Sequence, residues 1–456
     1  MKLFNTFTRK KDEFKEIKTG HVGMYTCGPT VYDYAHIGNF RAYICADVLR
    51  RYLLYKGYKV TQVMNLTDVD DKTIRGANEQ GVKLDDYTKK FKDAFFEDLK
   101  ALNILPADFY PEATKHIKEM VAQVQALIGK GMTYEADGSV YYKISEFKDY
   151  GRLSKIKLGE QKAGARVDQD EYEKESAHDF VLWKGAKEGE PSWDTAIGKG
   201  RPGWHIECSA MSSKYLGKHF DIHTGGIDLI FPHHENEIAQ AEGANDEPFV
   251  NYWVHNEYLM VEGKKMSKSL GNFYTLRDLL GKGYSPKAIR YLLLSAHYKV
   301  PLNFTIKGLE SAERTVEKFR DFLMSLDQCK GAGNPKAEKL IADAKAGFEK
   351  HMDDDLNISS ALAFIFDFMR DVNKEEMSVK DADKVRKVMM EFDSVLGILE
   401  FEADVPSGVL DLVARREEAR KKKDWASADS LRDEIREKGF SVDDTAEGPV
   451  VKKAAV

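Results

Sequence analysis

The segment 231–237, with the sequence Phe-Pro-His-His-Glu-Asn-Glu, concentrates groups that can bind a metal ion. Pro232 suits the first turn of a helix, because its fixed backbone angle matches the helix and its missing N–H is not needed there. In such a helix His233 and Glu237 are four residues apart on one face and can share one ligand. The same spacing is common on solvated helix faces, so the pair alone leaves both interpretations open.

Two of the four cysteines are candidates for the remaining ligands. Cys27 ends a short β-prone stretch just before a Gly-Pro break, and Cys208 lies near the point where an interrupted α/β pattern resumes. Because ligand sites of parallel sheets form beyond the carboxyl ends of the strands, the fold can bring both thiols to the histidine and the glutamate. Two cysteines, one histidine and one glutamate suit Zn²⁺. Cys45 and Cys329 lie in helical apolar patterns and are interpreted as packing residues.

Two further segments have the composition of phosphate-binding sites. His36 and Gly38 lie at a predicted loop-to-helix junction, where free N–H groups and the positive end of the helix dipole attract phosphate. Gly38 would let a phosphate approach the backbone, and His36 could donate a hydrogen bond as charge develops. Lys265 and Lys268 belong to a basic segment flanked by glycines, which is typical of a mobile loop that closes over a triphosphate. A capping histidine and a solvated lysine run are the alternative interpretations.

The order of apolar and breaking residues predicts the elements that position these groups. A strand at 24–27, a helix at 38–56 and a strand at 58–66 indicate an α/β fold with a Rossmann-type parallel sheet. The sheet pattern resumes at Trp204 and at 220–223. Residues 115–200 lack this alternation of strands and helices, so we interpret them as an insertion that splits the sheet.

That insertion and the C-terminal third have their own signals. A hairpin is predicted around Asp137 and Gly138. After about Pro301 the sequence becomes helical and strongly charged, and the apolar spacing of 309–326 and 337–399 predicts a helix bundle. A small C-terminal module is predicted to begin near Pro406.

Length and composition are those of a multidomain globular protein. The 456 residues are 42% hydrophobic and 32% charged, a length that corresponds to roughly two to four domains. No uncharged apolar run approaches the roughly 18 residues of a membrane span, and no signal peptide is recognisable, so we expect a cytoplasmic protein that contacts no membrane. The net charge of −6 argues against a sequence-blind nucleic-acid coat but permits a local basic patch.

Such a patch is predicted near the C-terminus, where 415–423 carries six positive and two negative charges. Trp425 and Asp429 follow at a spacing of one helical turn. A tryptophan can stack on an unpaired base, and a carboxylate can accept hydrogen bonds from base amines. Core packing of Trp425 is the alternative.

Together these motifs resemble those of the class I aminoacyl-tRNA synthetases. Residues 36–39 are similar to the first class motif, His-Ile-Gly-His, and 265–269 matches the second, Lys-Met-Ser-Lys-Ser. More narrowly, the segments 27–32, 200–211 and 231–237 resemble the cysteinyl-tRNA synthetase family, and the resemblance extends over nearly the whole chain. It implies a ligase that activates L-cysteine with ATP, releases pyrophosphate and loads tRNA(Cys).

The resemblance also implies a metal site and an amino-acid pocket. One zinc ion per chain would be bound by Cys27, Cys208, His233 and Glu237, with the substrate thiolate as an added ligand. A zinc ion that binds a soft thiolate can reject serine, which differs from cysteine mainly by oxygen for sulfur. The cysteine pocket would include Gly28, Thr67, Trp204 and His223. Hydrogen-bonded core positions are the alternative for the last two.

For ATP, which acts with Mg²⁺, the resemblance implies binding at Gly38, Gly225, Asp228 and Lys268. The implied catalytic residues are His36, Asn39, Lys265 and Lys268. They would act by orientation and electrostatics, with no protein nucleophile. Asn39 departs from the family pattern, because it replaces the second motif histidine and carries no charge. The stretch 194–199 departs from the family's Ser-Pro-Trp-Gly form.

The C-terminal block resembles the family's anticodon-binding module, although its tail at 448–452 differs from the usual ending. It implies tRNA contacts by Arg420, Trp425, Asp429 and Asp444. We expect a monomer. The predicted domains are a first catalytic half (1–114), the connective insertion (115–200), a second catalytic half (201–250), a stem-contact region with the lysine loop (251–305), the helix bundle (306–400) and the anticodon module (401–456).

Two other functions fit part of this pattern. The related ligase of mycothiol synthesis shares the zinc and ATP sites but does not need an anticodon module. A non-catalytic tRNA-binding protein on a synthetase scaffold can lose motif residues, whereas this chain retains His36, both motif lysines and all four expected zinc ligands. Cysteine-dependent pyrophosphate exchange would separate the scaffold protein from both enzymes.

Overall fold

The computed structural model describes residues 1–156, 179–267, 270–399, 407–422, 424–445 and 448–453. The chain forms two compact units, Met1–Val316 with Phe322–Ile398 and Leu399–Val456 with Glu317–Asp321. Lys268, the second lysine of the predicted loop, lies outside the described residues. None of the helices in the described ranges is long and apolar enough to cross a membrane.

The described residues form strands mainly in the first two thirds of the chain and helices throughout. The strands are β1 (Lys2–Asn5), β2 (Lys10–Glu13), β3 (His21–Thr26), β4 (Lys59–Met64), β5 (Thr133–Ala136), β6 (Ser139–Tyr142), β7 (Phe180–Gly185), β8 (Gly200–Pro202), β9 (Phe220–Gly226), β10 (Val250–Asn256), β11 (Leu259–Val261), β12 (Lys264–Lys265), β13 (Leu302–Phe304), β14 (Phe440–Thr445) and β15 (Gly448–Lys453). The α-helices are α1 (Ile37–Tyr55), α2 (Asp71–Gln80), α3 (Leu84–Ala101), α4 (Ile117–Gly129), α5 (Trp204–Leu216), α6 (Glu235–Asn245), α7 (Leu276–Gly281), α8 (Pro286–Leu294), α9 (Ile306–Ser325), α10 (Ala337–Met352), α11 (Ile358–Val372), α12 (Val379–Leu396), α13 (Ser407–Lys421) and α14 (Trp425–Glu437).

The central sheet contains four parallel strands in the order β10-β9-β3-β4. Helix α1 connects β3 to β4, and α6 connects β9 to β10, as parallel neighbours require. Strand β3 is buried along its second half, and α1 buries Phe40, Ile44 and Leu53. The predicted Rossmann-type parallel sheet is confirmed.

Between β4 and β9 lies a second, antiparallel sheet in the order β5-β6-β7-β8. Its first hairpin turns at Asp137 and Gly138, whose φ angles are 51° and 71°. Two positive φ angles in a two-residue loop are those of a type I′ turn, which matches the twist of the flanking strands. The predicted hairpin is therefore present, within a sheet that separates the two halves of the parallel one.

The helices α10, α11 and α12 form a bundle that also contacts α1. Phe348 of α10 stacks on Phe392 of α12 with ring centroids 4.5 Å apart, and its ring lies 6.5 Å from that of Tyr52 in α1. In the second unit, α13 and α14 pack with the hairpin β14-β15 around a separate core. Ile435 is fully buried there and Val442 nearly so.

Three local predictions are wrong. Trp204 opens helix α5, where a sheet element was expected, because the parallel sheet resumes only with β9 at Phe220. Pro232 is not in the first turn of a regular helix: a π-helical turn, Ile230–His234, precedes α6, and Phe231 within it has extended backbone angles. Cys329 lies after the short turn that ends α9 and is only partly buried, so it is not a helical packing residue.

Candidate functional site

The expected site residues lie where the parallel strands end. Cys27 directly follows β3, Thr67 lies in the segment after β4, and Gly225 and His255 belong to the last residues of β9 and β10. The carboxyl edge of an open parallel sheet is the usual position of its ligand site, because the chain leaves each strand there in a loop. Helix α5, the turn before α6 and the first turn of α6 supply the remaining groups.

Four buried side chains meet at this edge, as the sequence predicts. The sulfur atoms of Cys27 and Cys208 are 4.0 Å apart, and His233 Nε2 lies 3.0 Å from Glu237 Oε1. All four ligand atoms lie within 4.8 Å of one another. The largest exposed fraction among the four is 9%, for Cys27. A solvated helix face is therefore excluded for His233 and Glu237.

The four groups strongly influence one another's ionisation. Burial raises the pKa of the Cys208 thiol, but the hydrogen bond from Cys27 and the nearby His233 outweigh it and bring the pKa to about 6. Burial opposes the charge on Glu237, yet His223 and His233 lower its pKa to about 2. Burial likewise disfavours the His233 cation, but Glu237 and Cys208 raise its pKa to about 10. Burial and the neighbouring Cys208 raise the pKa of the Cys27 thiol. The pocket thus places two anionic donors, Cys208 and Glu237, where a dication would be stabilised.

The donor set fits zinc in chemistry and in spacing. Tetrahedral Zn²⁺ with Zn–S bonds of about 2.3 Å separates two thiolate sulfurs by about 3.8 Å, close to the 4.0 Å between Cys27 and Cys208. An overlapping set, in which His223 and His234 replace Cys208 and His233, satisfies the same distance criterion. We favour the first set, because it offers zinc two thiolates instead of one.

A layer of histidines surrounds this group, and sequence reasoning missed it. His205 Nδ1 lies 2.9 Å from His233 Nδ1, and His234 Nδ1 lies 2.7 Å from His255 Nε2. His255 in turn bonds Thr6 Oγ1 at 2.8 Å. Burial lowers the pKa of His255 most, and the neighbouring His223 lowers it further, to about 3, so this ring is neutral. The signals in the sequence were the doublet at 233–234 and single histidines in strands and in α5.

The residues expected to bind cysteine lie around the same group. His223 is fully buried, and its Nε2 lies 2.9 Å from Glu237 Oε2. Trp204 is 39% exposed and stacks on the His233 ring at 4.2 Å, so it is not a core residue. Thr67 is buried, and its hydroxyl donates to Glu207 at 2.7 Å.

Gly28 is required by the packing of the loop that it opens. A Cβ at this position would lie 1.7 Å from the backbone oxygen of Asn65, whereas the Gly28 N–H donates to the Asn65 side chain at 2.8 Å. Any larger residue would therefore separate the loop from the segment after β4.

His36 and Asn39 cap the first turn of α1 reciprocally. The Asn39 N–H donates to His36 Nδ1 at 3.2 Å, and the His36 N–H donates to Asn39 Oδ1 at 3.1 Å. Because Nδ1 accepts, the neutral imidazole carries its proton on Nε2. Both the capping and the catalytic interpretation of His36 are thus compatible. Asn39, which departs from the class motif, holds the histidine in position.

The lysine loop lies against this helix end. A Cβ on Gly38 would lie 3.3 Å from Met266 Cε, and the Ile37 N–H donates to the Tyr274 carbonyl at 3.0 Å. Asn272 ties the base of the loop, since its side chain accepts from Ser267 N at 2.9 Å and donates to Lys265 O at 3.1 Å. Lys265 itself is exposed at the end of β12.

The Gly-Gly-Ile-Asp segment ends β9 at the same edge of the sheet. A Cβ on Gly225 would lie 2.7 Å from His234 Cε1, so this glycine permits the strand to approach the histidine layer. Asp228 is exposed and lies two residues after the end of β9. The two residues are thus placed for a ligand that lies over the carboxyl end of β9.

Comparison with known proteins identifies this arrangement. The family model described as the tRNA synthetases class I (C) catalytic domain matches residues 13–314. The cysteine–tRNA ligase of Protochlamydia amoebophila is 50% identical over 99% of this chain and 98% of its own, and that of Brachyspira hyodysenteriae is 50% identical over 98% of each. The chain belongs to the cysteine–tRNA ligase family. It is thus a class I aminoacyl-tRNA synthetase, and the resemblance inferred from the motifs is confirmed.

Solved structures support the fold of this ligase. A Mycobacterium tuberculosis methionyl-tRNA synthetase in complex with methionyl-adenylate aligns with a TM-score of 0.60 at 15% identity, over 83% of this chain and 90% of that one. A putative arginyl-tRNA synthetase from Campylobacter jejuni aligns with a TM-score of 0.54 over 85% and 95%. The shared feature is the class I fold.

The remaining matches cover the C-terminal part of the ligase. A DALR domain matches 347–400, and the cysteinyl-tRNA ligase anticodon binding domain matches 402–448. In that unit Arg416, which sequence reasoning missed, binds both oxygens of Asp444 at 2.8 and 2.9 Å, and Arg420 bonds the same carboxylate. Trp425 is 59% exposed at the start of α14, which rules out core packing, and Asp429 is exposed on the same helix.

Proposed function

We propose that this chain activates L-cysteine with ATP and transfers it to the 3′ end of tRNA(Cys). The proposal rests on one observation above all: the buried group of two thiols, one imidazole and one carboxylate at the sheet edge. The same loop that begins with Cys27 ends at His36, the cap of α1. A thiol-recognising centre and a phosphate-binding helix end are thereby joined by one short segment.

Cys27, Cys208, His233 and Glu237 would hold one zinc ion. When bound, this ion supplies a soft Lewis acid that prefers a thiolate to an alcohol, which we propose as the basis for rejecting serine. His223 holds Glu237 through its second oxygen, and Trp204 holds the His233 ring by stacking. Gly28 and Thr67 would complete the wall of the cysteine pocket.

In the activation step, a carboxylate oxygen of cysteine attacks the α-phosphorus of ATP. The bond from that phosphorus to the oxygen bridging the β-phosphate breaks, and pyrophosphate leaves with the electron pair, its charge reduced by Mg²⁺. His36 would donate from Nε2 to an α-phosphate oxygen, and the N–H groups at the start of α1 add their dipoles. Asn39 positions His36. Lys265 and Lys268 would neutralise the leaving charge.

Gly225 and Asp228 would bind the ribose of ATP, and Gly38 would leave room for its phosphates. The close approach of Met266 to Gly38 supports a lysine loop that covers the phosphate site. These residues bind and orient the nucleotide, and none forms a covalent bond with it.

In the transfer step, a ribose hydroxyl of the terminal tRNA nucleotide attacks the carbonyl carbon of cysteinyl-adenylate. The carbon–oxygen bond to the phosphate breaks, AMP leaves, and the hydroxyl proton passes to the leaving phosphate. We propose that Arg420, Trp425, Asp429 and Asp444 contact the anticodon. The catalytic halves are proposed at 1–114 and 201–250, with the insertion at 115–200, the stem-contact region at 251–305, the bundle at 306–400 and the anticodon module at 401–456.

Pyrophosphate exchange tests the activation step without tRNA. We expect exchange that requires cysteine and fails with serine. In Cys208→Ala we expect both zinc binding and exchange to be lost. Exchange with serine at a comparable rate would refute zinc-based discrimination. Absence of exchange in the zinc-loaded wild type would refute cysteine activation and favour a non-catalytic tRNA-binding protein. The matched anticodon-binding domain at 402–448 favours tRNA over the aminosugar substrate of the mycothiol-type ligase.

A further inference from the structure

A cavity of about 410 Å³ lies between the loop that follows β3 and the helices α2 and α3. Tyr32, Asp33 and Tyr34 form its loop wall, a few residues before His36. In the sheet order β10-β9-β3-β4, helix α2 follows β4, whereas the Gly-Gly-Ile-Asp segment follows β9 on the other side of β3. The cavity is therefore separate from the region proposed for the ATP ribose.

Aromatic rings and cations alternate along this cavity. Lys72 Nζ lies 5.2 Å from the centre of the Tyr32 ring, and Lys90 Nζ lies 5.6 Å from that of Tyr34. Arg75 also lines the cavity. None of these three cations forms an ion pair within the part of the chain that the structure describes. Their charge thus remains available to an anionic ligand.

The floor of the cavity is built by a close contact within the helices. Tyr87 packs so tightly on α2 that a Cβ at Gly76 would lie 2.1 Å from its hydroxyl oxygen. That hydroxyl donates to the Tyr32 carbonyl at 2.8 Å and so ties the loop wall to α3. A glycine inside a helix is less stable than an alanine, so its presence at position 76 indicates that the contact with Tyr87 requires it.

The lining matches the chemistry of one nucleotide. Tyrosine rings stack on bases regardless of sequence, and lysine and arginine neutralise phosphates. Asp33 and Glu79, which also line the cavity, can accept hydrogen bonds from base amino groups. The volume falls within the range of about 300–1,000 Å³ of small-molecule sites. Both an RNA strand end and a free nucleotide offer these groups.

We propose that this cavity binds an unpaired nucleotide of the 3′-terminal strand of tRNA. The inference rests on the proposed function, because the cavity adjoins the loop between Cys27 and His36, beside which the activated cysteine would be transferred to tRNA. An RNA end suits the site better than free ATP, since the cavity lies on the far side of β3 from the ATP segment. The nucleotide bound here would orient the strand before its terminal ribose reaches the adenylate.

The test compares the binding of a tRNA(Cys) transcript with that of the same transcript lacking its unpaired 3′ nucleotides. We expect wild-type zinc-loaded enzyme to bind the intact transcript about tenfold more tightly, the scale of one stacked base. In Lys72→Ala/Lys90→Ala this preference should disappear while pyrophosphate exchange stays unchanged. Lys89→Ala is the matched control, because Lys89 is paired with Asp93 at 2.5 Å. Tyr32→Phe should retain the preference, and Tyr32→Leu should lose it.

Three results would overturn the proposal. The double variant could retain the wild-type preference at unchanged affinity, or lose affinity for both transcripts by the same factor so that the preference remains. It could also lose pyrophosphate exchange, which would assign the cavity to free ATP. Failure of the proposed function is seen separately, because the wild type would then not charge tRNA while its binding preference is still measured.

Discussion

Glu237 binds two histidines through its two carboxylate oxygens: Oε2 lies 2.9 Å from His223 Nε2 and Oε1 lies 3.0 Å from His233 Nε2. The carboxylate is fully buried, so its orientation is determined by these two rings and not by water. His223 therefore positions a proposed zinc ligand without belonging to the favoured ligand set. Such supporting contacts usually matter to a metal site almost as much as the ligands.

Replacement of His223 by asparagine should weaken zinc binding. We expect His223→Asn to lose roughly 10- to 100-fold in zinc affinity, the usual effect of removing a group that orients a ligand. Competition with a chromophoric chelator measures this change directly. His219→Asn is the control. His219 lies just before β9, the strand that contains His223, but it forms its hydrogen bond with Asn251 on the surface. Unchanged zinc affinity in His223→Asn would contradict the role assigned to His223.

A side chain at Gly38 should impair the phosphate site without harming the fold. In Gly38→Ala the new Cβ would lie 3.0 Å from the His36 ring and 3.3 Å from Met266 Cε. We expect pyrophosphate exchange to fall by about tenfold to a hundredfold, since small displacements of positioned groups have effects of this size. Gly129→Ala, where nothing lies within 4 Å of the added carbon, should behave as wild type. Normal exchange in Gly38→Ala would contradict the assignment.

Arg416 should matter for tRNA and not for cysteine activation. It is 3% exposed and donates two parallel hydrogen bonds to the Asp444 carboxylate. Lysine cannot reproduce this geometry. In Arg416→Lys we expect KM for tRNA(Cys) in charging to rise about tenfold, the scale of a lost charge-assisted hydrogen bond, with exchange unaffected. The exposed neighbour Arg415, changed to lysine, is the control. A parallel fall in exchange would indicate a general structural effect instead.

Asp98 should make the ligase less stable as the pH rises from about 4 to 7. Burial raises its pKa to about 6, against the opposing attraction of Arg277, from an ordinary value of 3.8. The folded state therefore holds a proton that the unfolded chain releases at lower pH, and that advantage is lost as the pH rises through 6. We expect Asp98→Asn to melt at the wild-type temperature near pH 4 and above it at pH 7.

The comparison at each pH cancels the titration of other groups. Asp93→Asn, at an exposed position on the same helix, should show no such divergence from wild type. If the melting temperatures of Asp98→Asn and wild type differ equally at both pH values, the carboxyl of Asp98 is not protonated in the fold.

The sequence predicted the parallel sheet and the four-residue group because both depend on local patterns: apolar strands and helices, and chemically distinctive side chains near their ends. The histidine layer of His205, His234 and His255 escaped prediction, since its members come from three separate elements and meet only in the packed fold. Asn39 was expected among the catalytic residues, and its contact with His36, whose N–H donates to Asn39 Oδ1, was not predictable from the motif. The ion pair of Arg416 with Asp444 likewise depends on how a helix and a hairpin pack.

The most direct test of the proposed reaction is charging of a tRNA(Cys) transcript by the zinc-loaded protein with labelled cysteine and ATP. We predict an ester-linked, tRNA-dependent product with cysteine and none with serine. Failure to charge the transcript while cysteine-dependent pyrophosphate exchange proceeds would contradict the assignment of tRNA(Cys) as the acceptor.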